Sequence, residues 1–235
     1  MALVKYGAGI VQMSGSIAGD VHARNRFCNY IRPRTKPTNP HSPRQENIRA
    51  ILSFLAEYWH QTLTGVQRAA WKVYADAVVM KNRLGESIHL TGFNHFIRTN
   101  GAHMTWSGVV LPNAPVVLAL PEKDDALVIS EEDIAAQKFN FTCDNTGWGP
   151  GVDDKLLIML YQGLPQLASR NFFGGPWRYM GIINATEGAA GTAQRDAAFP
   201  FGLGQKVWIQ ARLMTDSGRL TTLWTLAPRI IEADP

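Results

Sequence analysis

Apolar side chains recur at helical spacing between residues 42 and 106, which predicts three consecutive helices. The first is expected to begin after Ser42, because Ser-Pro-Arg-Gln combines an N-cap with proline at the first helical position. Thr64 opens a second capping box, for a helix over Gly65–Lys81, and Thr91 can cap the third helix. The predicted apolar faces are Ile48, Ile51, Leu52, Leu55, Tyr58 and Trp59 in the first helix, Val66, Ala70, Val73, Tyr74 and Ala77 in the second, and Phe93, Phe96, Ile97 and Met104 in the third.

From residue 116 onward the pattern changes to short stretches that alternate apolar and polar positions, which predicts strands. The predicted strands are Val116–Leu120, Ala126–Ser130, Lys138–Cys143, Lys155–Tyr161, Trp177–Asn184, Lys206–Met214 and Leu220–Leu226. Seven short strands in succession are typical of an immunoglobulin or fibronectin-type sandwich. Because no Cys–Trp–Cys pattern accompanies them, the fibronectin-like variant is favoured.

The first 41 residues have no core-forming pattern. Residues 1–20 are glycine-rich and are predicted to be extended, and a basic arm follows to about residue 41. Pro33, Pro37 and Pro40 exclude a helix there and favour extended backbone before each proline. The arm carries five cations with no acidic residue between them, and three apolar anchors: Arg24, Arg26, Arg32, Arg34 and Lys36, with Phe27, Tyr30 and Ile31. We therefore expect the arm to bind another surface.

These patterns predict an α+β protein, in which an extended basic N-terminal arm and a small helical region precede an all-β immunoglobulin/fibronectin-like sandwich. The expected boundaries are 1–41 for the glycine-rich segment and arm, 42–106 for the helices, 107–115 for a linker and 116–235 for the sandwich. A hydrophobic fraction of 46% and a charged fraction of 18% are those of a globular protein. No apolar run is long enough to predict a membrane span.

The net charge of +4 conceals two regions of opposite sign. Residues 1–104 hold 13 Lys and Arg against 5 Asp and Glu, a net charge of +8, and residues 105–235 hold 10 against 14, a net charge of −4. Such a division permits the basic part of one copy to meet the acidic part of another. Cys28 and Cys143 form no disulfide framework and no signal peptide is recognised, so a reducing cytoplasm is the expected compartment.

No motif predicts an enzyme, a cofactor or a metal site. Gly7-Ala8-Gly9 lacks the third glycine of a dinucleotide fingerprint, and no histidine pair has the spacing of a zinc site. Acidic clusters at 122–125, 131–133 and 153–154 are expected to be solvated loops. Glycine-rich loops around Trp148 and around Phe172 and Phe173 are expected to expose these aromatic residues as contact surfaces.

Three interpretations of the arm remain open at this point. It could hold nucleic acid, it could lie along a neighbouring subunit, or it could cover its own helical region. Arg44 and Arg49 of the first helix would add to its electrostatic anchors. Sequence-specific DNA reading has weak support, because the predicted second helix offers few base-reading side chains, namely Gln67, Arg68 and Lys72.

Several short motifs resemble a group of poorly characterised phage and prophage proteins, over roughly residues 7–100. The motifs are Gly15-Ser16-Ile17-x-Gly19, Arg24-Asn25-Arg26, Tyr30-Ile31-Arg32-x-Arg34, Lys36-Pro37-x-Asn39-Pro40 and Gln67-Arg68-x-x-Trp71. This resemblance implies a structural role in a virion, in multiple copies, with other virion subunits as partners and with no membrane or small-molecule substrate. The alternative function is nucleic-acid binding through the arm and the helical region.

Overall fold

A computed structural model describes residues 2–26, 28–149, 151 and 153–232. The chain divides into two compact units, Met1–Pro112 and Asn113–Pro235. The division falls within the segment 107–115. Phe27, one of the predicted apolar anchors, lies outside the described residues.

The N-terminal unit begins with an antiparallel sheet of short strands. Its strands are β1 (Ala2–Val4), β2 (Gly15–Ile17), β3 (Asp20–Arg24) and β4 (Asn29–Pro33), in the order β1-β4-β3-β2. The first half of the arm, which was predicted to be extended, forms β4 and the end of β3. Asn25 closes the turn between them, because its side-chain Oδ1 accepts a hydrogen bond from the Cys28 N–H at 2.9 Å.

Helices α1 (Pro43–Gln61), α2 (Gly65–Ala77) and α3 (Gly92–Ser107) follow. Each begins at its predicted cap, because the side-chain oxygens of Ser42, Thr64 and Thr91 accept hydrogen bonds from first-turn N–H groups. Thr64 forms a complete capping box with Gln67.

Helix α2 ends at Ala77 and not at Lys81 as predicted. Residues Val79–Lys81 form β5, which pairs with β6 (Ser87–His89). Consecutive β-branched residues at 78 and 79 favour extended backbone. Asn82 then closes the hairpin, since its Oδ1 accepts hydrogen bonds from the N–H groups of Leu84 and Glu86.

The helices meet at an aromatic cluster around Phe96, which is fully buried. The Phe96 ring lies 5.3 Å from the ring of Trp59 on α1 and 5.6 Å from that of Trp71 on α2. Gly92 brings the first turn of α3 against the backbone of α2, because a Cβ there would lie 2.9 Å from the Lys72 nitrogen. The short connection between α1 and α2 and this close approach of α3 thus define one helical core.

The C-terminal unit consists mainly of antiparallel strands. In chain order the described elements are β7 (Val128–Asp133), β8 (Lys138–Thr142), β9 (Lys155–Gly163), β10 (Gln166–Leu167), β11 (Trp177–Asn184), α4 (Ala185–Ala190), β12 (Thr192–Asp196), β13 (Gln205–Val207), β14 (Ile209–Thr215), β15 (Trp224–Thr225) and β16 (Arg229–Ile230). They form sheets in the orders β12-β8-β7, β11-β9-β14-β15 and β10-β13-β16.

The first two of these sheets enclose one hydrophobic core. Phe139 and Phe141 of β8 enter it from one sheet, and Ile158 of β9 and Ile209 and Leu213 of β14 enter it from the other. Inward residues alternate with outward residues along β8, as expected for a strand with one covered face. Two sheets that share a core in this way form a sandwich.

The predicted strands differ from the structure in several places; among them, the short strands β10 and β16 were not predicted. Residues 116–120 form no strand in the described chain, and Val116 is 91% exposed. Pro115 and Pro121 flank this segment, and proline removes backbone donors that a strand needs. Strand β12 was not predicted because only one of its side chains, that of Ala193, is both apolar and inward. The predicted strand 220–226 is reduced to β15.

Candidate functional site

The register of the N-terminal sheet sends the predicted anchors to both of its faces. Tyr30 of β4 lies opposite Leu3 of β1 and Ala23 of β3, so these three side chains share one face. Ile31 lies on the other face, opposite His22. Neither face therefore collects all the apolar side chains.

None of the described residues in β1 to β4 is buried. Each of these residues is either half-buried or exposed, whereas β8 of the sandwich completely buries Phe139 and Phe141. A small sheet needs a hydrophobic face against another layer to be stable. The N-terminal sheet therefore has strand pairing but no core of its own.

The cations of the predicted arm line this sheet and the chain that leaves it. Arg24 and Arg32 are exposed and project from opposite faces, opposite Asn29 and Val21 respectively. The Arg24 Nη1 donates a hydrogen bond to the Gln12 Oε1 at 3.0 Å. The other cations, Arg26, Arg34 and Lys36, are also exposed.

Arg44 and Arg49, the two further predicted cations, are exposed on α1. Five helical positions separate them by about 140° around the helix axis. They therefore face different directions and cannot serve one flat contact together.

An ion pair fastens the sheet to the β5–β6 hairpin. Lys5, which directly follows β1, pairs with Glu86. The Lys5 ammonium and the Asn82 side-chain amide both lower the pKa of the Glu86 carboxyl. Beside this pair lies a groove of about 530 Å³, which Arg24 and Arg26 also line.

A second groove of about 420 Å³ lies against α1, α2 and the start of α3. We call it the basic-aromatic groove, after the six residues Arg26, Trp59, Arg68, Lys72, His89 and Phe93, which lie among those that line it. No sequence pattern predicted this groove, although Arg68 belongs to the motif Gln67-Arg68-x-x-Trp71. The signal was weak because these residues come from four separate stretches of the chain.

The predicted apolar face of α2 is mostly exposed: Val66, Ala70, Val73 and Ala77 face solvent, and only Tyr74 of that face is buried. Val66 is 80% exposed and Val73 is 57% exposed, whereas Trp71 and Ala75 are buried. The large ring of Trp71 buries far more apolar area than an alanine or valine, so it decides which side of the helix faces the core.

The glycine-rich loops of the sandwich expose only one of the three predicted contact residues. Trp148 is half-buried against the core, and its Nε1 donates to the Asp144 carbonyl oxygen at 2.6 Å. Phe173 is buried and stacks at 5.5 Å on Trp208. The expectation that Trp148 and Phe173 are exposed is therefore wrong, while Phe172 is 77% exposed.

The acidic clusters are also not simply solvated loops. Each contributes one carboxylate to an ion pair with a cation from a distant part of the chain. The pairs are Asp124 with Lys155, Glu132 with Arg229, and Asp153 with Arg219. The side chains of Asp124 and Glu132 are only 1% and 4% exposed. These carboxylates hold strand ends and loops of the sandwich together.

The part of the chain that the structure describes offers no metal site and no membrane-spanning helix. In residues 2–26, 28–149, 151 and 153–232, no group of three or more His, Cys, Asp or Glu side chains is arranged to hold a metal ion. None of the described helices is both long enough and apolar enough to cross a bilayer.

No protein-family model matches this sequence, and no curated protein matches it. Among solved structures, the chain is similar to the twitchin kinase region from C. elegans, with 13% identity over 48% of this chain and 17% of that chain and a TM-score of 0.32. It is also similar to domains A168–A170 of titin, with 12% identity over 49% of this chain and 33% of that chain and a TM-score of 0.32. The two-sheet sandwich follows from the strand order and from the hydrophobic core that its sheets share.

Proposed function

We propose that this protein is a structural component of a bacteriophage particle, and that its N-terminal sheet binds a neighbouring subunit. The observation that carries the proposal is the absence of any buried residue among the described positions of β1 to β4. Contact with another subunit would supply the covering layer that this sheet lacks.

The positive charge of the N-terminal region favours a protein neighbour with an acidic surface. The sheet and the chain after it expose Arg32, Arg34 and Lys36, and residues 1–104 carry a net charge of +8. Opposite charges across an interface select the partner and speed the encounter. Tyr30, which is half-buried and lies on the same face of the sheet as Arg32, would gain burial in that contact.

The resemblance of the N-terminal motifs to phage and prophage proteins supports the virion as the setting.

We further propose that the sandwich is fibronectin-like. Seven principal strands form two sheets. The first, second and fifth strands (β7, β8 and β12) form one sheet, and the third, fourth, sixth and seventh strands (β9, β11, β14 and β15) form the other. The exposed ring of Phe172 would serve a lateral contact. The function is binding and assembly, with no catalytic role.

Mass spectrometry of purified particles from the phage or prophage that encodes this chain tests the setting. We expect the chain in intact particles at a copy number that is a multiple of the particle symmetry. Its absence from particles in which other structural subunits are detected would overturn the proposal.

Sedimentation velocity tests whether the N-terminal sheet is the contact surface. We expect self-association, or association with a neighbouring virion subunit, to weaken by at least about tenfold when Arg32→Glu and Arg34→Glu are combined. The control variant carries Lys81→Glu and Arg83→Glu, exposed charges in and just after β5, which should leave association unchanged. Equal loss in both variants would contradict a specific role for the N-terminal sheet.

A further inference from the structure

The basic-aromatic groove combines two kinds of chemistry. Trp59 and Phe93 supply aromatic rings, which meet edge to face with their centroids 5.6 Å apart. Arg68, Lys72 and His89 supply donors that can carry positive charge. Asp76 is the one carboxylate among the described residues that line the groove. The groove therefore favours an anion that also has a flat apolar part.

Part of this lining is held in place by the fold. The Arg68 Nη1 donates hydrogen bonds to the carbonyl oxygens of Trp59 and His60 at 3.3 Å each, so the guanidinium is fixed at the end of α1. The Trp59 ring is held against Phe96 at 5.3 Å. A ring and a cation are thus positioned next to each other before any ligand binds, which lowers the entropy cost of binding.

A volume of about 420 Å³ is in the range of small-molecule sites, and phosphate with a heterocyclic base satisfies both kinds of chemistry. A purely apolar ligand would leave the cations without a counter-charge. A simple inorganic anion would leave the rings of Trp59 and Phe93 unused. The unit that fits is a nucleotide, either free or as part of a strand.

Arg26 extends the basic surface beyond this groove. It lines the basic-aromatic groove and also the 530 Å³ groove beside β1 and β3, so the two grooves are neighbours. Arg24 lines the 530 Å³ groove as well, beside the Lys5–Glu86 ion pair. A polyanion of several nucleotides can follow this path, whereas a free nucleotide uses only one part of it.

We propose that the basic-aromatic groove binds single-stranded nucleic acid, with one base against Trp59 and the adjoining phosphates against Lys72, His89 and Arg26. This contact is independent of subunit assembly through the N-terminal sheet. It uses stacking and backbone charge, and it reads no specific base sequence.

Fluorescence anisotropy of a labelled ten-nucleotide oligo(dT), titrated with the full chain at several salt concentrations, tests the proposal. We expect binding that weakens with salt, with a slope of about 0.7 in log K per log salt for each phosphate contact. Lys72→Gln should weaken binding about fivefold and reduce this slope by one contact. Lys81→Gln is the matched control, because Lys81 is an exposed cation outside the described lining of both grooves, and it should change neither value.

A second variant examines stacking. Trp59→Leu should weaken binding about tenfold with an unchanged salt slope, provided that its circular dichroism spectrum remains native. No binding at 50 mM salt, or an equal loss in Lys72→Gln and Lys81→Gln, would overturn the groove as the site. Equal affinity for thymidine monophosphate would overturn a strand as the ligand, and equal affinity for duplex DNA of the same length would overturn single-strand preference.

Discussion

Lys155→Met should destabilise the sandwich, because it leaves a buried carboxylate without its counter-charge. The Lys155 Nζ lies 2.8 Å from the Asp144 Oδ2 and 3.7 Å from the Asp124 Oδ2, and the Asp124 side chain is 1% exposed. Removing one partner of a buried ion pair costs roughly 3–5 kcal/mol. Asp124 retains hydrogen bonds from the N–H groups of Ala126 and Asp144, which places the expected loss at the low end, about 3 kcal/mol.

Urea unfolding of the full chain, followed by tryptophan fluorescence, measures this loss directly. For a chain of 235 residues it corresponds to a fall in Tm of about 6–12 °C. Lys123→Met is the control. Lys123 pairs with Asp125 at the surface, where the two side chains are 57% and 79% exposed, so its removal should cost at most about 0.5 kcal/mol.

The source of the cost can be isolated by a double-mutant cycle. Asp124→Asn in the Lys155→Met background removes the uncompensated charge and should recover at least about 1 kcal/mol. A single-variant loss below about 0.5 kcal/mol, or a double variant that is no more stable than Lys155→Met alone, would refute the reasoning.

Three further predictions concern the helices and the pH dependence of stability. Gly92→Ala should cost about 1–3 kcal/mol in urea unfolding because its Cβ meets the α2 backbone, whereas Gly101→Ala in the same helix has no atom within 4 Å and should be neutral or stabilising. Burial lowers the pKa of His95 from 6.5 to about 4. The free energy of unfolding should therefore be constant with respect to this group above pH 6.5 and fall by about 2–3 kcal/mol toward pH 4, where the unfolded chain binds the proton more tightly. His95→Phe should remove that fall. Lys155 and Thr146 lower the pKa of Asp144 from 3.8 to about 2, so wild-type stability should fall between pH 4 and 2 more steeply than that of Asp144→Asn.

Each of these has a result that would contradict it. An equal cost for the two glycine variants would exclude the close helix approach as the cause. A pH profile between 6.5 and 4 that is the same in wild type and His95→Phe would mean that another group titrates there. Parallel acid profiles of wild type and Asp144→Asn would remove the Lys155 pair as a source of stability at neutral pH.

The starts of the helices were predictable from the sequence because capping is local. The side-chain oxygens of Ser42, Thr64 and Thr91 each accept a hydrogen bond from the N–H three residues later, and this bond needs no tertiary contact. The same holds for strands such as β11, whose predicted and observed bounds agree. Two-residue alternation is likewise readable within one segment.

What the local pattern could not decide is which surface covers each element. The side of α2 that faces the core is decided by the contact of Trp71 with Phe96 of α3. The helical period alone does not distinguish this side from the side of Val66 and Val73, because both sides carry apolar residues. The basic-aromatic groove has the same origin, since its rings and cations come from distant stretches of the chain.

Local sequence patterns were enough to predict the three long helices with their caps, most strands of the sandwich and the basic character of the first 104 residues, because these depend on neighbours along the chain. The pairing of Asp124 with Lys155, and an N-terminal sheet in which no described strand residue is buried, came from the tertiary structure. Strand pairing and ion pairs join residues that are far apart in sequence, so their partners are decided by the fold.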